Sequence, residues 1–145
     1  MKGTSERAAG EALREVMGFV YKPPDDARNW KPADFLCWGI PRNSLADERT
    51  RSVWVEVKDG RGLGKIPASA IRKSQLAGIQ QAMDLHIGYF ILVRWGTSAP
   101  YTWTILEATQ RERNGEPWMD EMRRSNHYWW DVSGTLRECI EDIIL

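Results

Sequence analysis

Cysteine and histidine are scarce in this chain of 145 residues: Cys37 and Cys139 are the two thiols, and His86 and His127 the two imidazoles. The thiols stand far apart, one in an apolar run and one in a helix-like tail. That placement favours buried free thiols over a disulfide or a cysteine-based metal site. With no Cys or His close to either imidazole, a structural zinc site has almost no support, and a metal here would be held by carboxylates. No run approaches the roughly 18 to 20 apolar residues of a membrane span. Met1-Lys2-Gly3-Thr4-Ser5-Glu6-Arg7 enters a polar helix pattern without the apolar segment of a signal peptide, so a cytoplasmic protein is expected. Net charge is lacking too: 20 basic residues balance 20 acidic ones, which gives no global attraction to nucleic acid. The potential that matters there is local, however, and from Lys58 to Lys73 five basic residues meet one acid, Asp59.

What is present suits one ordered domain over residues 1–145, with 42% apolar, 28% charged and 10% aromatic residues. Residues 4–18 read as a helix: Ala9, Leu13, Val16, Met17 and Val20 recur at helical spacing, Thr4 or Ser5 can cap the start, and Gly18 ends the run. Phe19-Val20-Tyr21 opens a short strand, and Lys22 to Lys31 is a loop. Asp34-Phe35-Leu36-Cys37-Trp38 is an apolar strand that stops at Gly39. The clearest strand is Ser52 to Lys58, with Val53, Val55 and Val57 on one face and Trp54, Glu56 and Lys58 on the other. A glycine-rich basic loop closed by Pro67 follows. A second helix begins at Ala68 or Ser69, runs to about His86 and ends at Gly88. Tyr89 to Trp95 is almost continuously apolar, as a central strand would be, and Tyr101 to Leu106 alternates. Ser133 or Asp131 can cap a final helix carrying Leu136, Ile140, Ile143 and Ile144, which either closes on the sheet or makes a dimer contact. The expected fold class is α/β, a small mixed central sheet flanked by helices.

Glu56 and Lys58 share a strand face, about 7 Å apart at about 3.3 Å per residue. Phosphodiester hydrolysis needs an activated water, a cation to offset charge gathering on the phosphoryl oxygens, and stabilisation of the leaving oxygen. Converging carboxylates hold Mg²⁺ through hard oxygen ligands, and an ammonium beside them orients water and stabilises negative charge. Asp34 at the start of one strand, with Glu56 and Lys58 on the next, meets that need if the strands are adjacent. On a solvated face the same Glu-x-Lys triplet would be an ordinary ion pair worth little.

Pro32-Ala33-Asp34-Phe35, then Val55-Glu56-Val57-Lys58, then Pro67, Ile71, Ser74-Gln75 and Leu76, then Gly88 to Trp95 resemble, in order and approximate spacing, the core of the RecU-like Holliday junction resolvases of the PD-(D/E)xK nuclease superfamily. The resemblance covers residues 32–95. It implies a restriction-endonuclease-like core and a Mg²⁺-dependent endonuclease, with Mn²⁺ able to substitute, acting on branched DNA such as a four-way junction, usually as a homodimer. By position it makes Asp34 and Glu56 metal ligands, Lys58 the catalytic lysine, and Gln75 a partner of the metal-bound water or the phosphate. Ser74 stands where the family has histidine, and only Asp59 to Ala68 is available for the long insertion that the family carries there. A phage-encoded or other mobile version fits the compact, neutral chain.

Enzymes of this class commonly add a glutamate from an N-terminal helix. At about 100° per residue, Glu6 lies within roughly 30° of the centre of the apolar stripe, whereas Glu11 points almost the opposite way. Glu6 is therefore the preferred third metal ligand and Glu11 the alternative. Lys2-Gly3-Thr4-Ser5-Glu6-Arg7, with Gly18-Phe19 after it, also looks like the start of archaeal-type Holliday junction resolvases. Arg61, Lys65, Arg72 and Lys73 are the phosphate-contact candidates, the last two in the first turns of the second helix, with Arg7 and Lys31 weaker ones. Of the eight tryptophans, Trp30 or Trp38 could stack on an unpaired base, although core packing accounts for most. The alternatives to a junction resolvase are a restriction-like or repair endonuclease on the same fold, or a non-catalytic DNA-binding protein.

Overall fold

Valines at alternate positions of one strand separate two cores in the computed structural model, which describes residues 2–24, 31–39, 51–60, 70–109, 112–113, 116–117 and 132–143. In chain order the elements are α1 (Lys2–Val16), β1 (Phe19–Tyr21), β2 (Phe35–Gly39), β3 (Arg51–Gly60), α2 (Lys73–Asp84), β4 (Gly88–Trp95), β5 (Thr102–Glu107), β6 (Glu112–Arg113), β7 (Glu116–Pro117), β8 (Val132–Gly134) and α3 (Leu136–Ile143). Six strands form one sheet in the order β1-β2-β3-β4-β5-β8, and β6 pairs with β7 separately. The β3–β4 pair is parallel and joined through α2; the other neighbours are antiparallel. This mixed sheet flanked by helices is the expected α/β architecture.

Val53, Val55 and Val57 pack with Phe35, Cys37, Phe90, Leu92 and Ile105 against Ala9, Leu13, Val16 and Met17 of α1 and Cys139, Ile140 and Ile143 of α3. On the other face, Trp54, Tyr89, Ile91, Val93 and Trp95 pack with Ile79 and Ala82 of α2. Covered on both faces, β4 has no need of polar alternation, and its sequence shows none.

Several helix boundaries differ from expectation. Helix α1 begins at Lys2, so Thr4 and Ser5 lie inside it instead of capping its start. The first helix stops at Val16, so Val20 belongs to β1, where it still packs on the α1 core. Helix α2 starts at Lys73, later than Ala68 or Ser69, because Arg72 is extended (φ −75°, ψ 163°) and its N–H is taken by Gln75 Oε1 at 2.9 Å. At its other end the stop precedes Gly88: His86 takes a left-handed conformation (φ 58°), Ile87 N–H donates to Ala82 O at 2.8 Å and His86 N–H to Met83 O at 3.2 Å. That paired closure needs left-handed backbone, which glycine usually supplies.

The tail brings the other correction. Ser133 lies within β8, a strand the sequence reading did not find, and Asp131 lies outside the described residues, as does Ile144. Thr135 caps α3 instead: Glu138 N–H donates to Thr135 Oγ1 and Thr135 N–H to Glu138 Oε1, both at 3.2 Å. The helix closes on α1 and the sheet, with Arg137 reaching Glu15 of α1 at 3.0 Å. Among the described residues no helix is long and apolar enough to cross a membrane.

Cys37 and Cys139 are free and buried, and burial pushes both thiols up to about 12. Neither should react with a thiol-specific reagent in native protein at pH 8, and both should react after unfolding. The folded values lie above the unfolded one, so the unfolded chain loses these protons first. Urea melts should therefore show stability present below about pH 9 falling as the pH rises towards about 12.

Candidate functional site

Antiparallel pairing of Phe35 with Val55 puts Asp34, one step earlier, opposite Glu56. Alternation turns both away from the α1 core and towards α2. Two backbone donors fix the pair: Asp34 N–H donates to Glu56 Oε2 at 3.2 Å, and Val57 N–H to Asp34 Oδ2 at 2.8 Å. Both side chains are buried, Asp34 at 1% and Glu56 at 3% exposure. Like charges about 4 Å apart repel by about 4 kcal/mol at an effective dielectric of 20, so such a pair requires nearby donors and cations.

Gln75, at the third position of α2, supplies the central donor. Its Nε2 donates to Glu56 Oε1 at 2.7 Å, while its Oε1 accepts from Lys58 Nζ at 3.2 Å and from Arg72 N–H at 2.9 Å. A carboxylate needs a donor and an ammonium an acceptor, and one primary amide in one orientation serves both. Lys31 Nζ lies 3.4 Å from Asp34 Oδ1, a second cation beside the pair. Asp34, Glu56, Lys58 and Gln75 are thus brought together on one face, linked by a continuous chain of contacts.

The segment entering Asp34 is clamped from behind. Tyr89, fully buried in β4, donates its hydroxyl to Pro32 O at 2.7 Å. Burial raises the Tyr89 hydroxyl, and the charges of Glu56 and Asp34 raise it further, so the phenol stays a donor. Helix α2 approaches the same carbonyl: a Cβ on Gly78 would lie 2.6 Å from Pro32 O. Sequence reasoning did not single out Tyr89. Its signal was a phenol inside a largely apolar central strand, since a buried hydroxyl needs a partner.

On the opposite face, Asp59 accepts from Ser5 Oγ of α1 and from Arg94 Nε of β4, both at 3.1 Å, and Arg94 lies 4.3 Å over the Tyr101 ring. Glu6 is buried on α1 and pairs with Lys22 at 3.2 Å, whereas Glu11 is exposed. Among the described residues, no group of three or more His, Cys, Asp or Glu side chains is arranged to hold a metal. Arg72 and Lys73 are exposed at the start of α2, beside Gln75, and Ser74 is exposed there too. Arg61, Lys65 and Trp30 lie outside the described residues. Trp38 is exposed on the β1–β2 corner.

Asp34 and Glu56 offer hard oxygen donors, one oxygen of each anchored to backbone. That set fits Mg²⁺, which commonly binds through one or two carboxylates and completes its shell with water and phosphate.

Alanine at a helical glycine ordinarily gains up to about 1 kcal/mol. Gly78→Ala should instead lose about 1–3 kcal/mol through overpacking against Pro32. Gly3→Ala, whose Cβ meets nothing within 4 Å, should not be destabilising. Urea denaturation of the two variants checks the clamp.

No family model and no curated protein matches this chain. A solved structure similar to it is that of Hjc, a Holliday junction resolvase from the archaeal hyperthermophile Archaeoglobus fulgidus, at 12% sequence identity, covering 79% of each chain, with a TM-score of 0.49.

Proposed function

We propose that this protein is a Mg²⁺-dependent endodeoxyribonuclease of the PD-(D/E)xK type that hydrolyses phosphodiester bonds in branched DNA. The observation that supports it best is the run Asp34, Glu56, Gln75, Lys58 in mutual contact on one sheet face. Structural ion pairs do not need two buried carboxylates each tied to the backbone of the other's segment.

Asp34 and Glu56 would hold the metal; Glu6 of α1, the expected third carboxylate, pairs with Lys22 and, among the described residues, is not grouped with them. Bound there, Mg²⁺ would offset the negative charge gathering on the phosphoryl oxygens. Lys58 presents an ammonium two residues along the same strand face, suited to orient the attacking water and to stabilise developing negative charge. Gln75 fixes that ammonium relative to Glu56 through its single amide. Arg72 and Lys73 would meet the phosphate backbone at the start of α2, with Arg61 and Lys65 proposed for the same role. The ordered resemblance from Pro32 to Trp95 favours a four-way junction as substrate, cut symmetrically by a homodimer in the cytoplasm.

Four-way, flapped and linear duplex DNA incubated with Mg²⁺ test this reading. The junction should be cut fastest. Glu56→Ala and Lys58→Met should each lower the rate at least about 100-fold, with junction binding largely kept. Cleavage of linear duplex as fast as the junction would reject the resolvase assignment in favour of a restriction-like or repair nuclease. Absence of cleavage of any DNA would leave a non-catalytic DNA-binding protein.

A further inference from the structure

Among the described residues the exposed large apolar side chains are Phe19 at 48%, Tyr21 at 45%, Trp38 at 41% and Leu85. The first three share one corner. Phe19 pairs across the β1–β2 ladder with Trp38, and Tyr21 with Leu36. The Phe19 and Trp38 rings stack at 4.3 Å between centroids, 21° from parallel. Val20 and Cys37, between them in sequence, pack on the α1 core. Alternation therefore turns Phe19, Tyr21, Leu36 and Trp38 to the other face, the one that carries Asp34 and Glu56. Trp38 stands four residues beyond Asp34, which immediately precedes β2, about 13 Å away at about 3.3 Å per residue.

The corner is tightly built. Gly39, which follows Trp38, has φ +126°, and a Cβ there would lie 2.7 Å from the Gly18 backbone, which precedes Phe19. Two facing glycines thus hold the strands close behind the stacked rings. Solvent-facing aromatics grouped in this way call for an occupant. Half-exposed rings of about 200 Å² each leave about 300 Å² in all, well short of the roughly 800 Å² per partner that a stable dimer buries. A nucleobase needs much less, and every base has a π face to offer.

We propose that Phe19, Tyr21 and Trp38 form a stacking platform for an unpaired nucleobase of the DNA whose backbone reaches the Asp34–Glu56 centre. The proposal rests on that centre facing DNA. At 3.4 Å per base step, the span from Asp34 corresponds to about four steps of B-form duplex. The platform would therefore engage DNA that has opened near the cut, which gives the protein a preference for branched over continuous duplex without any sequence readout.

Binding measured by fluorescence anisotropy in EDTA keeps the test separate from cleavage. The probes are a duplex with a single-stranded thymidine arm, the same duplex with an abasic arm, and a fully paired duplex. Wild-type protein should bind the thymidine arm roughly tenfold more tightly than the abasic arm. Trp38→Ala and Phe19→Ala should lose that difference and leave fully paired duplex binding unchanged. Trp38→Phe should retain most of it, whereas Trp38→Leu, apolar but without a π face, should not. Equal wild-type binding to thymidine and abasic arms overturns the proposal, as does a loss in Trp38→Ala that is equal on all three probes. So does a change from dimer to monomer in sedimentation with the thymidine preference intact, which would make a second copy the occupant. Thymidine preference in a protein that cuts no DNA would sink the nuclease reading and leave the platform standing; cleavage without that preference would do the reverse.

Discussion

Two carboxylates buried side by side on neighbouring strands repel one another, and most of the local structure answers that repulsion. Asp34 and Glu56 each tie one oxygen to the other strand's backbone, so the sheet ladder that brings the charges together also supplies their first donors. Gln75 and Lys31 address the remaining oxygens. A carboxylate facing solvent would need none of this. The arrangement keeps two hard oxygen donors fixed in a buried wall at a cost in stability.

The parallel step of the sheet makes the arrangement possible. A hairpin between β3 and β4 would return the chain without crossing either face. Because the two strands run parallel, the connection must cross, and α2 lies over the face that Glu56 and Lys58 occupy. Its first turn then delivers Gln75 to both. Gly78, one turn further on, permits the approach, since α2 could not settle against Pro32 with a side chain there. Helix start, close approach and amide bridge therefore act as one geometric unit.

The legible parts of the fold were those written in period. Alternation in β3 placed Glu56 and Lys58 on one face, the almost continuous apolar run of β4 marked a strand covered twice, and the α1 stripe separated buried Glu6 from exposed Glu11. What escaped depended on partners distant in sequence. Tyr89 acquires its role from Pro32, 57 positions away, and Asp59 from Ser5, 54 positions away. The three-residue β8 is too short to show a period and exists by pairing with β5. Arg72 reads as a helix residue until Gln75 takes its N–H and holds it outside. The phosphate contacts expected at Arg61 and Lys65 fall outside the described residues, so the basic face is described only at Arg72 and Lys73.

Lys58 shows why the opposite face matters to the centre. Its ammonium is linked to Gln75, but its backbone position depends on the end of β3, where Asp59 points the other way and is held by Ser5 of α1 and Arg94 of β4. A guanidinium buried between a carboxylate and the Tyr101 ring has its charge met on both sides, which makes it a firm anchor despite its burial. Consecutive residues of one strand are thus gripped from opposite faces, Lys58 through α2 and Asp59 through α1. A strand end fixed in this way cannot twist to relieve the repulsion between Asp34 and Glu56, so the charges remain where the backbone puts them and the neighbouring donors must meet them there.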